Sequence, residues 1–321
     1  MVDEKLLIMR TKWIKTYSMY EKWFIALGKY LLVVGLMIFI SNYIGYMSLL
    51  TKSYVILAMG FISMILPGQA ILGLLMGVVV AHLSVFNLIL GVISGGVFLS
   101  AYIMFIRLYP KESILIIITM ISFTLKIEYL IPIVAALFGN LACAVAIFLG
   151  ILGRYCYLAL EILMKKTALG IDILDLLNKM VSIAMSAILM NREMIATLII
   201  SLSVFLIVYF IKNQAIDYAP YVAIVMGGAM NLLGFLLGVL FLKIHINMPF
   251  LFIMSGVSVL LAVIMQWLAL PLDYTRTEIV QFEDEDNFYH VKIIPKMTVN
   301  VEPKKVEQIY TMTAEEGKEI L

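Results

Sequence analysis

The residues that could do chemistry in this chain are polar or helix-breaking positions set inside long apolar runs. Pro67-Gly68-Gln69 is one such interruption. Lys126-Ile-Glu128, followed by Pro132 and then Gly139-Asn140, is a second, and Gly227-Gly228 with Asn231 is a third. A helix broken inside a bilayer frees backbone N–H and C=O groups that protein, water or ligand must meet. Transporters use such breaks to hold substrates and ions near the midplane. Pro67, Gly68, Gln69, Asn140, Gly227, Gly228 and Asn231 are therefore the candidate substrate positions. The alternative is that these are ordinary turns at the membrane surface. Lys126 and Glu128 suit such a surface loop, whereas Asn140 and Asn231 lie well inside apolar runs and need a partner. Arg154 and Glu161 are seven apart and share a helix face. With Lys165 and Lys166 close behind, they read as solvated charges beyond the bilayer.

No soluble catalytic signature is present. The chain lacks a Gly-x-x-x-x-Gly-Lys-Ser/Thr phosphate loop, a His-Glu-x-x-His pair and a Gly-x-Ser-x-Gly elbow. His82, His245 and His290 are far apart, and Cys143 and Cys156 sit in apolar surroundings as small hydrophobes. No catalytic residue, metal site or cofactor is expected, and no enzyme activity. Gly73-x-x-x-Gly77, Gly91-x-x-x-Gly95 and Gly234-x-x-x-Gly238 each put two glycines on one helix face, a pattern that lets membrane helices approach closely.

The elements that must position these residues follow from composition. Of the 321 residues 63% are hydrophobic and 14% charged, against about 45–50% and about 25% in soluble domains. A water-soluble fold of this length cannot hide that surplus, so it faces lipid. The apolar runs are continuous, not alternating, which indicates helices and not a barrel. The expected fold is an all-α polytopic membrane protein of about 8–10 membrane helices, some short or interrupted, with a small C-terminal β-hairpin tail.

Candidate spans are 26–44, 54–66, 70–83, 86–108, 113–125, 129–152, 196–211, 221–242 and 248–270. A crossing needs about 20 apolar residues, so the segments of 13–14 residues are half-helices, thin tilted spans or limbs of a re-entrant hairpin. Residues 171–190 carry a polar stripe of Asp175, Asn178, Lys179, Ser182 and Ser186 opposite Leu174, Leu177, Val181, Met185 and Ile188. They fit either an interfacial helix or a span with a polar face turned into the bundle. Tyr54-Val-Ile-Leu-Ala-Met-Gly60 resembles Tyr221-Val-Ala-Ile-Val-Met-Gly227, a faint internal repeat.

Three domains result: a basic amphipathic N-terminal helix over 1–25, a transmembrane region over 26–270 and a soluble tail over 271–321. The first 30 residues hold six Lys/Arg and three Asp/Glu, and the tail holds six and eleven. The basic end favours a cytoplasmic N-terminus. With Pro67 marking a hairpin and 171–190 crossing, Arg107, Lys111, Arg154, Lys165, Lys166 and Lys212 fall inside, and Lys52, Lys126, Arg192 and Lys243 outside. A cytoplasmic tail is then favoured. In the tail, Thr277–Glu283 and Phe288–Ile294 alternate around Asp284-Glu-Asp-Asn287, which reads as a hairpin near 277–295. Beyond residue 300 the chain is polar and reads as poorly ordered. No concentrated basic patch suggests nucleic acid as a partner; the lipid bilayer is the expected one.

Three stretches, Leu125-Lys-Ile-Glu-Tyr-Leu-Ile-Pro-Ile133, Ile216-Asp-Tyr-Ala through Gly228, and Asp273-Tyr-Thr-Arg through Pro295-Lys296, together resemble a family of uncharacterised multi-pass membrane proteins of anaerobic Gram-positive bacteria. Its members are often labelled permeases of ABC-type transporters. The resemblance implies a plasma-membrane location and, through the label, an ATPase subunit as a partner. The chain departs from the family pattern at Glu128, where a proline is expected, at Arg154, and at Gly238-Val239 in place of a Gly-Asp pair. The Glu-Ala-Ala loop of many importer permeases is absent. Two functions remain in view: a transport-type membrane domain, or a non-transporting scaffold that recruits a cytosolic partner through its tail.

Overall fold

The computed structural model describes residues 2–166, 173–214, 216–269 and 277–295. Pro271, where the tail was expected to begin, and the chain from 296 onward lie outside the described residues. The protein is a polytopic helical membrane protein with a C-terminal two-stranded antiparallel hairpin. Seven of its helices are long and apolar enough to cross a bilayer.

The path of the chain is fixed by which helix ends meet. Helix α1 (Val2–Ile44) bends at Tyr20, whose φ of −114° and ψ of 18° leave the helical region. Beyond the bend it packs on α2 (Ser53–Ile65), with Tyr30 and Phe61 ring centroids 5.1 Å apart. Gly60 permits that approach, because a Cβ there would run into Tyr30 and Val34. The chain reverses at Leu66 and Pro67, both extended, and Lys29 Nζ donates to the Leu66 carbonyl at 2.9 Å. Helix α3 (Gly68–Phe86) runs back, and near its end His82 Nδ1 accepts from the Met47 N–H at 3.1 Å. Asn87 alone separates α3 from α4 (Leu88–Ala101), and its side-chain oxygen caps α4 by accepting from the Ile89 and Leu90 N–H groups. After a π-turn at Tyr102–Ile106 the chain reaches a loop in which Pro110 lies beside Gly68. Lys29, Leu66, Gly68 and this loop thus mark one face of the bundle, here the first face. Ile44, Met47 and Asn87 mark the second.

Helices α5 (Ile114–Leu125) and α6 (Leu130–Phe138) leave from the first face and return to it. At the return, Asn140 Nδ2 donates to Glu112 Oε1 at 2.8 Å. Lys212 Nζ, at the end of α9 (Arg192–Lys212), donates to the carbonyls of Leu137 (3.1 Å) and Gly139 (3.0 Å). A helix of nine residues is only about 13 Å long. Its start at Tyr129 is bonded to Asn231, which stands at the middle of α10 (Ala219–Leu242). The α5–α6 pair therefore enters from the first face, turns half way across and goes back: it is a re-entrant hairpin. Six of the nine α6 residues are buried, so this half-helix is enclosed largely by protein, while in the loop before it Lys126 is exposed, Ile127 and Glu128 are half-buried and Tyr129 is buried.

Helix α7 (Ala142–Lys166) crosses to the second face, where Ala159, Leu163 and Met164 pack with Ile44, Leu83 and Phe86. There α8 (Ile173–Ala184) and a π-turn (Met185–Leu189) lie against α7. Helices α9, α10 and α11 (Met248–Ala269) then cross in turn. Arg192 Nη1 donates to the Leu242 carbonyl on the second face, and Arg10 to the Leu268 carbonyl on the first. Among the described residues, α1, α3, α4, α7 and α9–α11 are the seven helices long and apolar enough to cross, the 13-residue α2 runs beside α1 from the second face to the first, and α5–α6 forms one re-entrant hairpin. In the tail, β1 (Glu278–Glu283) pairs antiparallel with β2 (Phe288–Ile293), and Val280 faces Val291. Lys292 meets Asp217 of the α9–α10 loop at 2.5 Å, which puts the hairpin on the first face with the N-terminal helix.

Three sequence expectations change and one open choice closes. The span 129–152 is two helices broken at Gly139-Asn140, because the buried nine-residue α6 ends where Lys212 meets its carbonyls. Of the two readings of 171–190, the described part, 173–190, fits the interfacial helix: Leu176 and Ile183 are buried against the bundle, while Leu174, Val181 and Met185 stay exposed. Lys165 consequently sits near the second face beside Lys52, Arg192 and Lys243, not inside with Arg107. Gly227 and Gly228 interrupt nothing, since α10 runs unbroken through them.

Candidate functional site: the tip of the re-entrant hairpin

The tip is the loop from Lys126 to Tyr129. Lys126 takes a left-handed conformation (φ 58°) that ends α5, and the Ile127 N–H then bonds to the Ser122 carbonyl at 2.9 Å. The Tyr129 carbonyl is met from another helix: Asn231 Nδ2 donates to it at 3.0 Å, with Asn231 1% and Tyr129 5% exposed. The Tyr129 ring stands edge-on to Phe235, centroids 5.2 Å apart. The close approach of α6 to α10 depends on Gly227, where a Cβ would press on Ile133 (3.2 Å) and Val208 (2.6 Å). Gly228 does the same for α11, whose Val259 occupies the space of its missing side chain.

Three charges gather here. Glu128 is half-buried, and its Oε2 is sealed from solvent with no hydrogen-bond partner. The charges of Lys126 and Arg154 act on it. Arg154 lies near the middle of α7, with its guanidinium 5.8 Å from the Tyr157 ring centroid. Lys126 reaches towards the second face and stands 5.3 Å from the Phe250 ring centroid, near the start of α11. No ion pair joins Glu128 to either cation. Next to Arg154, the Tyr155 side chain is hydrogen-bonded to Thr197 of α9. Ionisable side chains at mid-membrane are costly and are kept where they serve a pathway, a relay or a partner.

The other sequence-derived positions lie elsewhere. Pro67 is exposed at the first face and Gln69 half-exposed beside it. Asn140 is exposed at the same face with its Glu112 partner. Of the seven candidate positions, Asn231 alone hydrogen-bonds the tip, while Gly227 and Gly228 pack beside it. Gly73, Gly77 and Gly95 line an open apolar groove with Phe98 and Tyr102, and a Cβ at Gly77 would touch nothing within 4 Å. Gly91 fits closely against Ser84, Gly234 against Ile200 (2.9 Å) and Gly238 against Ile244 (2.8 Å). Sequence reasoning put Glu128 in a surface loop and Arg154 beyond the bilayer. The signal that places both at mid-depth is the apolar stretch Leu130–Phe138, too short to cross and closed by Gly139-Asn140. Starting α7 only at Ala142 moves Arg154 from a helix end to a helix middle.

Comparison of the chain with protein-family models, with curated proteins and with solved structures found no match in any of the three.

Proposed function

We propose that this chain is a transport-type membrane domain whose midplane binding position is the tip of the α5–α6 hairpin. One observation carries the reading: a loop of non-helical backbone, Glu128 within it, is bonded to Asn231 of α10 half way across the protein and lies within the electrostatic reach of Arg154 of α7. Convergence of polar groups from separate segments at that depth is how carriers hold a solute. A scaffold has no use for it. The basic N-terminal helix with Arg107, Lys111 and Lys212 gives the first face more basic residues than Lys52, Lys165, Arg192 and Lys243 give the second, which supports a cytoplasmic first face by the positive-inside rule; the plasma membrane is the location that the family resemblance implies. The transport domain works either alone or with an ATPase subunit on the first face, the partner that the permease resemblance implies.

The scaffold reading has one observation in its favour. The hairpin leaves Val280, Phe282 and Ile293 exposed on one face beside the acidic turn Asp284-Glu-Asp286, as a recruiting surface does. Water access separates the two readings. In a chain carrying Cys143→Ser and Cys156→Ser, single cysteines at Glu128 and Arg154 are tested with a membrane-impermeant maleimide. A transport pathway makes both react at least tenfold faster than a cysteine at Leu233, a lipid-facing position at similar depth. If all three are equally inert, no aqueous route reaches the tip and the scaffold reading replaces this one.

A further inference from the structure

The Glu128 carboxyl is left in an unusual position by the geometry of the tip. Its Oε2 is closed off from water and accepts no hydrogen bond. An ionised oxygen held in that way is costly to bury, whereas a protonated one carries no charge. A hydrogen bond from its own backbone N–H to the carboxyl pulls the other way and favours the ion, as do two cations, Lys126 in the same loop and Arg154 on α7. The remaining titratable groups that feel Glu128 are Tyr129 of the tip and Tyr155 of α7, and both are neutral at ordinary pH. The elements packed on the tip from α10 and α11 bring Asn231, Phe235 and Phe250, none of which titrates. Burial and the cations are thus set against each other at a single group, and a side-chain movement decides between them.

We propose that Glu128 is a membrane-embedded proton carrier: protonated when apart from Arg154, as in this conformation, and ionised when it swings into an ion pair with Arg154. In the step, the O–H bond of the Glu128 carboxyl breaks, the proton passes to water admitted at the tip loop, and the carboxylate left behind is neutralised by the guanidinium. The reverse swing takes a proton up. A proton is therefore the coupling ion of the solute site formed by the same loop, and this assignment rests on the transport reading of that site.

The test uses dicyclohexylcarbodiimide, an apolar reagent that enters the bilayer and condenses with protonated carboxyls only. The full chain in native membranes is treated between pH 5 and pH 9, and the adduct is located by mass spectrometry on the peptide containing residue 128. The expected result is labelling that falls at least fivefold across that range and is absent in Glu128→Gln. In Arg154→Gln, loss of the opposite charge moves the midpoint to higher pH by about one unit or more. Absence of the adduct at every pH, or labelling that ignores pH, overturns the proposal. A midpoint unmoved by Arg154→Gln overturns the pairing. If the carbodiimide result is negative while cysteines at 128 and 154 still react with the maleimide, the transport reading stands and proton carriage alone falls.

Discussion

Asn231 hydrogen-bonds α10 to the re-entrant tip, and its donor meets a buried carbonyl. Removing a buried donor and leaving its acceptor unmet costs about 1–3 kcal/mol. Asn231→Leu should therefore lower the thermal midpoint of the detergent-purified protein by several degrees, followed through tryptophan fluorescence. Ser255→Ala, which gives up only a 3.4 Å bond to the Gly228 carbonyl, should leave it nearly unchanged. An Asn231→Leu midpoint equal to that of the unchanged chain would show that water reaches the tip and replaces the amide. At this scale the sequence was partly legible. An asparagine within an apolar run advertises its need for a partner, and Asn231 has one. Glu128 gave the opposite impression, because a charge between short apolar segments looks the same whether its loop lies at the surface or half way in. Depth is a property of where neighbouring helices begin and end, and no local window contains it.

At the level of helices, glycine was the most ambiguous letter. Gly227-Gly228 reads as a break, yet in lipid the backbone must satisfy its own hydrogen bonds, and one glycine costs a helix only about 1 kcal/mol. The helix therefore continues and uses the missing side chains to admit α6, α9 and α11. Overpacking of that kind costs about 1–3 kcal/mol, so Gly227→Leu should destabilise the purified protein while Gly77→Ala, with open space around its Cβ, should be neutral or slightly stabilising. Equal losses in the two would mean that the groove by Gly77 is filled in the membrane. The amphipathic segment 171–190 was legible as amphipathic but not in its orientation. It has three faces: Leu176 and Ile183 buried, Asp175, Asn178, Ser182 and Ser186 exposed and polar, and Leu174, Val181 and Met185 exposed and apolar. That last strip suits a helix lying at the lipid–water boundary.

For the molecule as a whole, the bonds from Arg10 to the end of α11 and from Lys292 to Asp217 put the N-terminal helix and the tail hairpin on one face. A fluorescent reporter that matures only in the cytoplasm should light up when fused after residue 110, 214 or 295. Alkaline phosphatase, active only outside, should work after residue 50, 190 or 245. Phosphatase activity at residue 295 together with fluorescence at residue 190 would invert the orientation. The fold class followed from run length and composition, since 63% hydrophobic residues in continuous stretches leave few alternatives. The tail hairpin followed from its alternation around four acidic or amide residues. The number of crossings did not, because the two short helices α5 and α6 differ from thin spans only in what they meet.

The partners that hold α6 are distant in the chain: Asn231 lies 102 residues beyond Tyr129, and Lys212 lies 73 beyond Gly139. A ribosome feeding this polypeptide into the membrane therefore releases α5 and α6 long before anything exists to enclose them. During that interval an unsupported half-helix has nowhere stable to be within the lipid. Its settling must wait for α9 and α10, so the midplane site is among the last parts of the molecule to mature. A nascent chain halted before residue 231 carries every residue of the tip loop and none of its architecture.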